Sequence, residues 1–219
     1  MPKETFLNLP PPKREAVLSQ AFIEFATHDY TSASLSRIVR KAGIAKGSMY
    51  QYFENKRDLY FYLIDSAFKR KLEFIASESA VGGETFFETF KSIIKASVRF
   101  DFVHPEISGL IMHARSEPPG EELENVADEF IGRSNVFFEG FVRSAVERGE
   151  IEGDISMIVH ILDQTALTFS LYLQRNHRDE ISRNGEIIEE KAEDLAGLLK
   201  NGLSKKTDSF YTCKSVKKT

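Results

Sequence analysis

The sequence of 219 residues contains one cysteine and no tryptophan. The single cysteine, Cys213, lies in a polar segment near the end of the chain. The sequence therefore excludes an intrachain disulfide framework and a metal site built from several cysteines. No apolar stretch reaches the about 18 residues that a membrane-spanning helix needs, and the first residues lack the apolar core of a signal peptide. We therefore expect a cytoplasmic protein with no membrane partner.

Motifs that carry catalysis or bind metals are also missing. The five histidines are scattered, and none forms an HExxH motif or a pair four residues apart. The sequence has no GxSxG nucleophile turn, no P-loop and no glycine-rich dinucleotide turn. We predict that the protein is not an enzyme and that it holds neither a metal nor a cofactor.

Charge is distributed unevenly along the chain. The net charge is -4, yet residues 34–57 carry +5 while residues 58–204 carry -12. A compact basic segment in an acidic chain is typical of a surface that binds a polyanion. The alternative is a solvated pair of helices that happens to be basic. Residues 205–219 carry +4 and show no periodicity, and we predict that this tail is disordered.

Apolar residues recur with the 3.6-residue period of helices, and no segment shows sustained alternation. The pattern predicts an all-α fold. Ser34 is a suitable N-cap for a short second helix, and Gly43 permits the left-handed turn that ends it. The expected helices cover about residues 12–28, 35–42, 45–53, 54–79, 84–101, 105–116, 121–149, 154–177 and 184–203.

The third of these helices has two different faces. Met49 and Phe53 lie together, four residues apart, and suit a hydrophobic core. The outward face and its flanks comprise Lys46, Gly47, Ser48, Tyr50, Gln51 and Tyr52. A cation, small residues, an amide and tyrosines on a short helix after a tight turn are typical of a recognition helix in the DNA major groove. The alternative is that the two tyrosines only cover the core of a small domain.

The run SLSRIVRKAGIAKGSMYQYFENKRDLYFYLI, residues 34–64, resembles the DNA-binding signature of the TetR family of bacterial transcriptional regulators. The signature includes Tyr-x-x-Phe, a lysine and a leucine, which are matched here by Tyr50, Phe53, Lys56 and Leu59. The likeness covers about residues 12–64. Val39 stands where the family usually has alanine.

Composition and the resemblance together predict three parts of the chain. Residues 1–56 would form a three-helix helix-turn-helix DNA-binding domain, residues 57–204 an α-helical ligand-binding and dimerisation domain, and residues 205–219 the basic tail. Ser34, Tyr52 and Lys56 would contact phosphates. The residues that would face the major groove are Lys46, Gly47, Ser48, Tyr50 and Gln51. Gln51 is the best candidate for reading a base because its amide can pair with adenine.

The resemblance also implies a homodimer on a palindromic operator, most often a repressor, that a small-molecule inducer releases. The helix from residue 154 onward is apolar on more than one side, which favours burial by a second subunit. The alternative is burial within its own domain.

Phenylalanine is frequent, with 18 residues, and rings crowded among the middle helices can leave an apolar cavity. The candidate ligand contacts are Phe90, His104, Met112, His113, Phe137 and Phe141, with Arg115 and Asn135 as further polar anchors. Plain packing or a surface position is the alternative for each. A hydrophobic or amphipathic inducer follows from the family resemblance. The rival functions are an architectural DNA-binding factor without an inducer, and a small-molecule carrier or enzyme with an appended three-helix domain.

Overall fold

The computed structural model describes residues 1–79, 85–116, 123, 126–183 and 185–203. All regular secondary structure within these ranges is helical, which confirms the all-α prediction. The helices are α1 (Glu4–Leu7), α2 (Pro11–Thr27), α3 (Leu35–Lys41), α4 (Lys46–Tyr52), α5 (Lys56–Glu78), α6 (Phe86–Val103), α7 (Pro105–Ser116), α8 (Val126–Glu147), α9 (Ile155–Asn176), α10 (Arg178–Arg183) and α11 (Glu186–Leu203). Sequence patterns did not predict α1 or α10. The tail predicted to be disordered lies outside the described residues.

Local hydrogen bonds explain where the short helices begin and end. The Ser34 hydroxyl accepts a hydrogen bond from the Arg37 N–H at 3.4 Å, so the predicted N-cap of α3 is confirmed. Gly43 has a φ of +67°, as expected for the residue that ends α3 with a left-handed turn. The Asn55 side chain caps α5 by accepting a hydrogen bond from the Asp58 N–H at 2.8 Å.

The first hydrophobic core joins α1–α4 and the first half of α5 to α7. Phe22, Phe25, Met49 and Phe53 are at most 1% exposed in this core. Buried side chains of α7 belong to it as well: Ile107, Leu110, Ile111 and Ala114. The helices at the start of the chain therefore pack directly against α7.

The second hydrophobic core lies among α6, α8, α9 and α11. Its fully buried side chains include Phe86, Phe90, Val142, Leu162 and Leu173. Ion pairs join α6 to α11 at its edge, with Lys91 Nζ 2.5 Å from Glu193 Oε2. Across the described ranges, we find no helix with the length and apolar character needed to span a bilayer.

Candidate nucleic-acid interface and internal cavity

The two-faced character predicted for α4 is confirmed by its core residues. Met49 and Phe53 are each 1% exposed, whereas Tyr50 is 53% exposed and Gln51 is also exposed. The backbone of Gly47 is exposed too. Of the other two residues predicted to face the major groove, Ser48 is half-buried, and the side chain of Lys46 lies outside the described part of the chain. Helix α4 therefore presents an amide and an aromatic ring on the surface, while Met49 and Phe53 pack its other face against the core.

Tyr52 lies in the core and not on the outward face of α4. It is 5% exposed, and its ring centre is 5.7 Å from that of Phe6 in α1. Sequence patterns assign Phe6 to no helix and therefore do not indicate that it covers Tyr52. The alternative reading of Tyr52 as a core residue describes its packing, and a phosphate contact from Tyr52 stays a prediction.

Lys56, the other expected phosphate contact on this side, is held by the loop between α2 and α3. Its ammonium donates hydrogen bonds to the carbonyl oxygens of Tyr30 at 2.6 Å, Thr31 at 3.2 Å and Ala33 at 3.2 Å. Three carbonyl acceptors match the three hydrogens of an ammonium group. In this arrangement Lys56 fixes the loop, and its contact with DNA stays a prediction.

Ser34 is positioned by a buried carboxylate that sequence reasoning did not identify. Glu24 of α2 is 1% exposed, and its Oε1 accepts hydrogen bonds from the Ser34 N–H at 2.9 Å and from Arg37 Nε at 2.7 Å. Burial alone would raise the pKa of Glu24, but the hydrogen bonds from Arg37 and Ser34 outweigh it and hold the pKa below its ordinary value. Glu24 therefore anchors the start of α3 on α2 as an anion.

Some cations of the basic segment are bound by other groups of the protein, and others are exposed at its surface. Arg37 is paired with Glu24, and Lys56 is bound to the loop. Arg40 and Lys41, in the last turn of α3, are exposed. Part of the positive charge in residues 34–57 thus stabilises the fold, and part remains at the surface for an anionic partner.

An internal cavity of about 80 Å³ lies among α5, α6, α7, α8 and α9. Its apolar lining includes Phe68, Leu72, Ile75, Ile93, Phe137 and Phe138. A neighbouring cavity of about 130 Å³ shares Lys71, Asp101, Ile111 and Leu167 with the first and reaches Met112 and Gln174. Together they form a space with an apolar part and a polar part.

The charged residues of these cavities are paired with each other. Lys71 Nζ lies 2.8 Å from Asp101 Oδ1. Asp101 also accepts hydrogen bonds from the hydroxyls of Ser108 at 2.5 Å and Ser170 at 2.6 Å, so it links four helices.

Arg115 of α7 makes the second ion pair, donating two hydrogen bonds to Asp163 of α9 at 3.2 and 2.6 Å. Since Lys71 and Arg115 each face a carboxylate, these four residues add no net charge to the space.

Two of the six predicted ligand contacts line these cavities. Phe137 borders the first and Met112 the second, and the polar anchor Arg115 also borders the first. The other four do not line either cavity: Phe90 is fully buried near Phe138, Phe141 stacks on Phe86 at 4.7 Å, His104 packs against Phe74 and Phe100, and His113 is half-buried on α7. Their expected ligand contacts stay predictions. Asn135, the remaining anchor, is half-buried and lines neither cavity.

Sequence reasoning missed Lys71, Asp101 and Asp163. For Asp163 the available signal was a charged residue inside an otherwise apolar helix, whereas Lys71 stands among other charged residues of α5. Asp163 follows Leu162 in α9, and both are buried. Asp101 lies in the last turn of α6, a helix with four other charged residues, and is 8% exposed.

The sequence is similar to those of bacterial regulatory proteins. Residues 17–63 match the model of bacterial regulatory proteins of the tetR family. The fatty acid metabolism regulator protein of Bacillus subtilis is 23% identical over 188 residues, which cover 81% of this chain and 93% of that protein.

Solved structures share the fold over nearly the whole chain. A TetR family transcriptional regulator from Chloroflexus aurantiacus matches with a TM-score of 0.72 and 27% identity, covering 94% of this chain and 100% of the other. The transcriptional regulator FadR from Bacillus subtilis, in complex with stearoyl-CoA, matches with a TM-score of 0.65 and 19% identity, covering 84% and 96%.

Proposed function

We propose that this chain, which belongs to the tetR family of bacterial regulatory proteins, is a homodimeric repressor that releases a palindromic operator when a long-chain fatty acyl thioester binds. The observation that carries the proposal is the coexistence of an exposed polar face on α4 with a charge-balanced, largely apolar cavity bordered by α7. Such a regulator acts in the cytoplasm, where it meets both DNA and acyl thioesters.

The proposed DNA-binding unit is residues 1–56, and the proposed ligand-binding and dimerisation unit is residues 57–204. Helix α4 enters the major groove and reads bases chiefly through Gln51. The other groove-facing residues are Lys46, Gly47, Ser48 and Tyr50. Ser34, Tyr52 and Lys56 are the other proposed phosphate contacts, although Tyr52 is largely buried and Lys56 also binds the loop before α3. The exposed cations Arg40 and Lys41 add to the attraction for the DNA backbone.

Exposed apolar side chains on the last two long helices support the homodimer. On α9, Met157 is 63% exposed, Ile161 37% and Tyr172 44%, and Leu198 of α11 is 72% exposed. Large apolar groups in these positions favour burial against a second copy. A two-fold dimer carries two copies of α4, which matches a palindromic operator with half-sites about one helical turn apart.

The chemistry of the cavity favours a ligand that carries a neutral polar group on a long apolar chain. The Bacillus subtilis relatives are a fatty acid metabolism regulator and a regulator bound to stearoyl-CoA. In this chain, Asp101 and Asp163 already neutralise Lys71 and Arg115. A free carboxylate would add a negative charge beside two carboxylates that already face these cations, whereas a thioester would not.

Footprinting on DNA from upstream of the protein's own gene tests the proposal. The protein is first unfolded and refolded so that any copurified ligand is removed. Protection of two half-sites related by a two-fold axis, with a dimer in sedimentation, supports the proposal. Binding of palmitoyl-CoA without any sequence preference for DNA would instead favour a carrier with an appended helical domain.

A further inference from the structure

Helix α4 is short, and its last carbonyl groups need hydrogen-bond donors from outside the helix. It has seven residues, about two turns. The Phe53 N–H donates to the Met49 carbonyl oxygen at 2.8 Å. This bond leaves the carbonyls of Tyr50, Gln51 and Tyr52, the final turn of the helix, to be satisfied by other groups.

Residues 3 and 5, at the start of the chain, supply donors to all three. Lys3 Nζ donates to the Tyr50 carbonyl oxygen at 2.9 Å, and the backbone N–H of Lys3 donates to that of Tyr52 at 2.8 Å. The Thr5 hydroxyl donates to the Gln51 carbonyl oxygen. The ammonium of Lys3 also lies at the negative end of the helix dipole, where a cation is favourable.

Phe6 fixes this segment to the first core. It is fully buried, and its ring centre lies 4.8 Å from that of Phe53 and 5.7 Å from that of Tyr62. Helix α1 is therefore docked by a core side chain, and this docking places Lys3 and Thr5 beside the end of α4. Lys3 and Thr5, together with the buried Phe6 that docks them, form the α4 clamp.

We propose that Lys3 and Thr5 are positioning residues for DNA recognition, which act through the backbone of Tyr50 and Gln51. A two-turn helix has little stability of its own. A side chain that reads a base must be held within about 0.5 Å of its productive position. The α4 clamp holds the two carbonyls that belong to the exposed residues of α4. This inference rests on the proposed DNA-binding function.

Two variants of Thr5 distinguish a role in positioning α4 from a role in general stability. Thr5 is exposed, so Thr5→Val removes the hydroxyl without opening the core, and Thr5→Ser retains it. We expect Thr5→Val to bind the preferred duplex about three- to tenfold more weakly, the value of one net hydrogen bond. Its discrimination against a duplex with one substituted base pair falls, its Tm stays within a few degrees, and Thr5→Ser behaves like the unaltered protein.

Variants of two lysines distinguish a role of Lys3 in positioning α4 from a direct contact between Lys3 and a phosphate. Lys3→Met is compared with Lys13→Met, which removes the same charge from an exposed position near the start of α2. We expect only Lys3→Met to lose discrimination between the preferred duplex and one with a substituted base pair. The salt dependence of its binding should stay unchanged. A salt slope about 1 smaller, with discrimination intact, would assign Lys3 to a phosphate and overturn its positioning role.

Three other outcomes would contradict the positioning role of Lys3 and Thr5 or the proposed function. If Thr5→Val and Lys3→Met both bind and discriminate like the unaltered protein, the α4 clamp plays no part in recognition. If they lose binding only in proportion to a lowered Tm, the role is structural and the proposal is wrong. If the unaltered protein prefers no duplex, the proposed function fails, and that result is distinct from a failure of the α4 clamp.

Discussion

The ammonium of Lys56 lies 4.5 Å from the centre of the Tyr30 ring and donates a hydrogen bond to the carbonyl oxygen of the same residue at 2.6 Å. A cation held against both the ring and the backbone of one residue is stabilised by two different interactions. This contact joins the first turn of α5 to the loop before α3. The position that family resemblance assigns to phosphate binding therefore also has a structural role within the protein.

Lys56→Met should destabilise the protein. The substitution keeps most of the aliphatic stem but removes the hydrogen bonds that Lys56 donates to the carbonyls of Tyr30, Thr31 and Ala33. We expect a loss of about 1–3 kcal/mol in the free energy of unfolding, measured by urea denaturation. Lys41→Met, a matched change at an exposed lysine of α3, should leave stability within about 0.5 kcal/mol. Equal stability of the two variants would show that the loop does not depend on Lys56.

Gln51→Ala should relax sequence preference and leave electrostatic attraction intact. An exposed amide that pairs with a base contributes about 1–3 kcal/mol of discrimination, and its removal does not change the number of phosphate contacts. The measurement is a binding titration on the operator and on duplexes with single substituted base pairs, at several salt concentrations. Uniform weakening on every duplex, with discrimination kept, would remove Gln51 from base reading.

Gly109→Ala should disturb the packing of α7 on α2. A Cβ at residue 109 would lie 2.8 Å from the Cβ of Ala26 and 3.2 Å from its backbone, so one helix must move. We expect a loss of about 1–3 kcal/mol in stability. Gly140→Ala in α8 is the matched control, because a Cβ there meets nothing within 4 Å and a helical alanine is favoured by about 0.5–1 kcal/mol. Similar thermal unfolding of the two variants would contradict the tight contact.

Acid should weaken the anchor formed by Glu24. Its pKa in the folded protein is lowered, so its ionised form contributes stability above the unfolded value of 4.5, and this contribution is lost as pH falls through the folded pKa. We expect Glu24→Gln to lower stability at pH 7 by about 1–3 kcal/mol. The difference from the unaltered protein should shrink below about pH 4.5. A difference that is constant between pH 7 and pH 3 would show that the charge of Glu24 plays no part.

The parts of the structure that sequence predicts best are those governed by local periodicity. Met49 and Phe53 lie four residues apart on one helix, and Gly43 follows an apolar stripe, so both features depend on near neighbours. Phe6 could not be placed in this way, because α1 has four residues and its position depends on α4 and α5, distant in sequence. The same contact explains why Tyr52 is buried.

The cavity depends on contacts between distant helices. Phe137 and Met112 could be chosen as apolar residues of the middle helices, but nothing local distinguishes them from Phe90 or Phe141, which line neither of the two cavities. The pairing of Arg115 with Asp163 joins residues 48 positions apart. Such pairs follow from how helices pack, and helical periodicity alone does not indicate them.

Asp163→Asn supplies the variant that tests the chemistry of the cavity. In the unaltered protein Asp163 balances Arg115, so palmitoyl-CoA should bind and free palmitate should bind poorly. Replacement by asparagine removes the negative charge of the carboxylate that faces Arg115 in the cavity. We expect the affinity for palmitate to rise about tenfold, or about 1.4 kcal/mol, as measured by calorimetry. Phe138 remains in place and the apolar contacts are retained.

The most direct measurement is fluorescence anisotropy of a labelled duplex from upstream of the protein's own gene, titrated with palmitoyl-CoA below its micelle concentration. The ligand-free protein should bind this duplex in preference to a scrambled one. Palmitoyl-CoA should release it, coenzyme A and palmitate alone should not, and palmitate should release the duplex from Asp163→Asn. Anisotropy that stays constant at palmitoyl-CoA concentrations that saturate the protein in calorimetry would contradict the account.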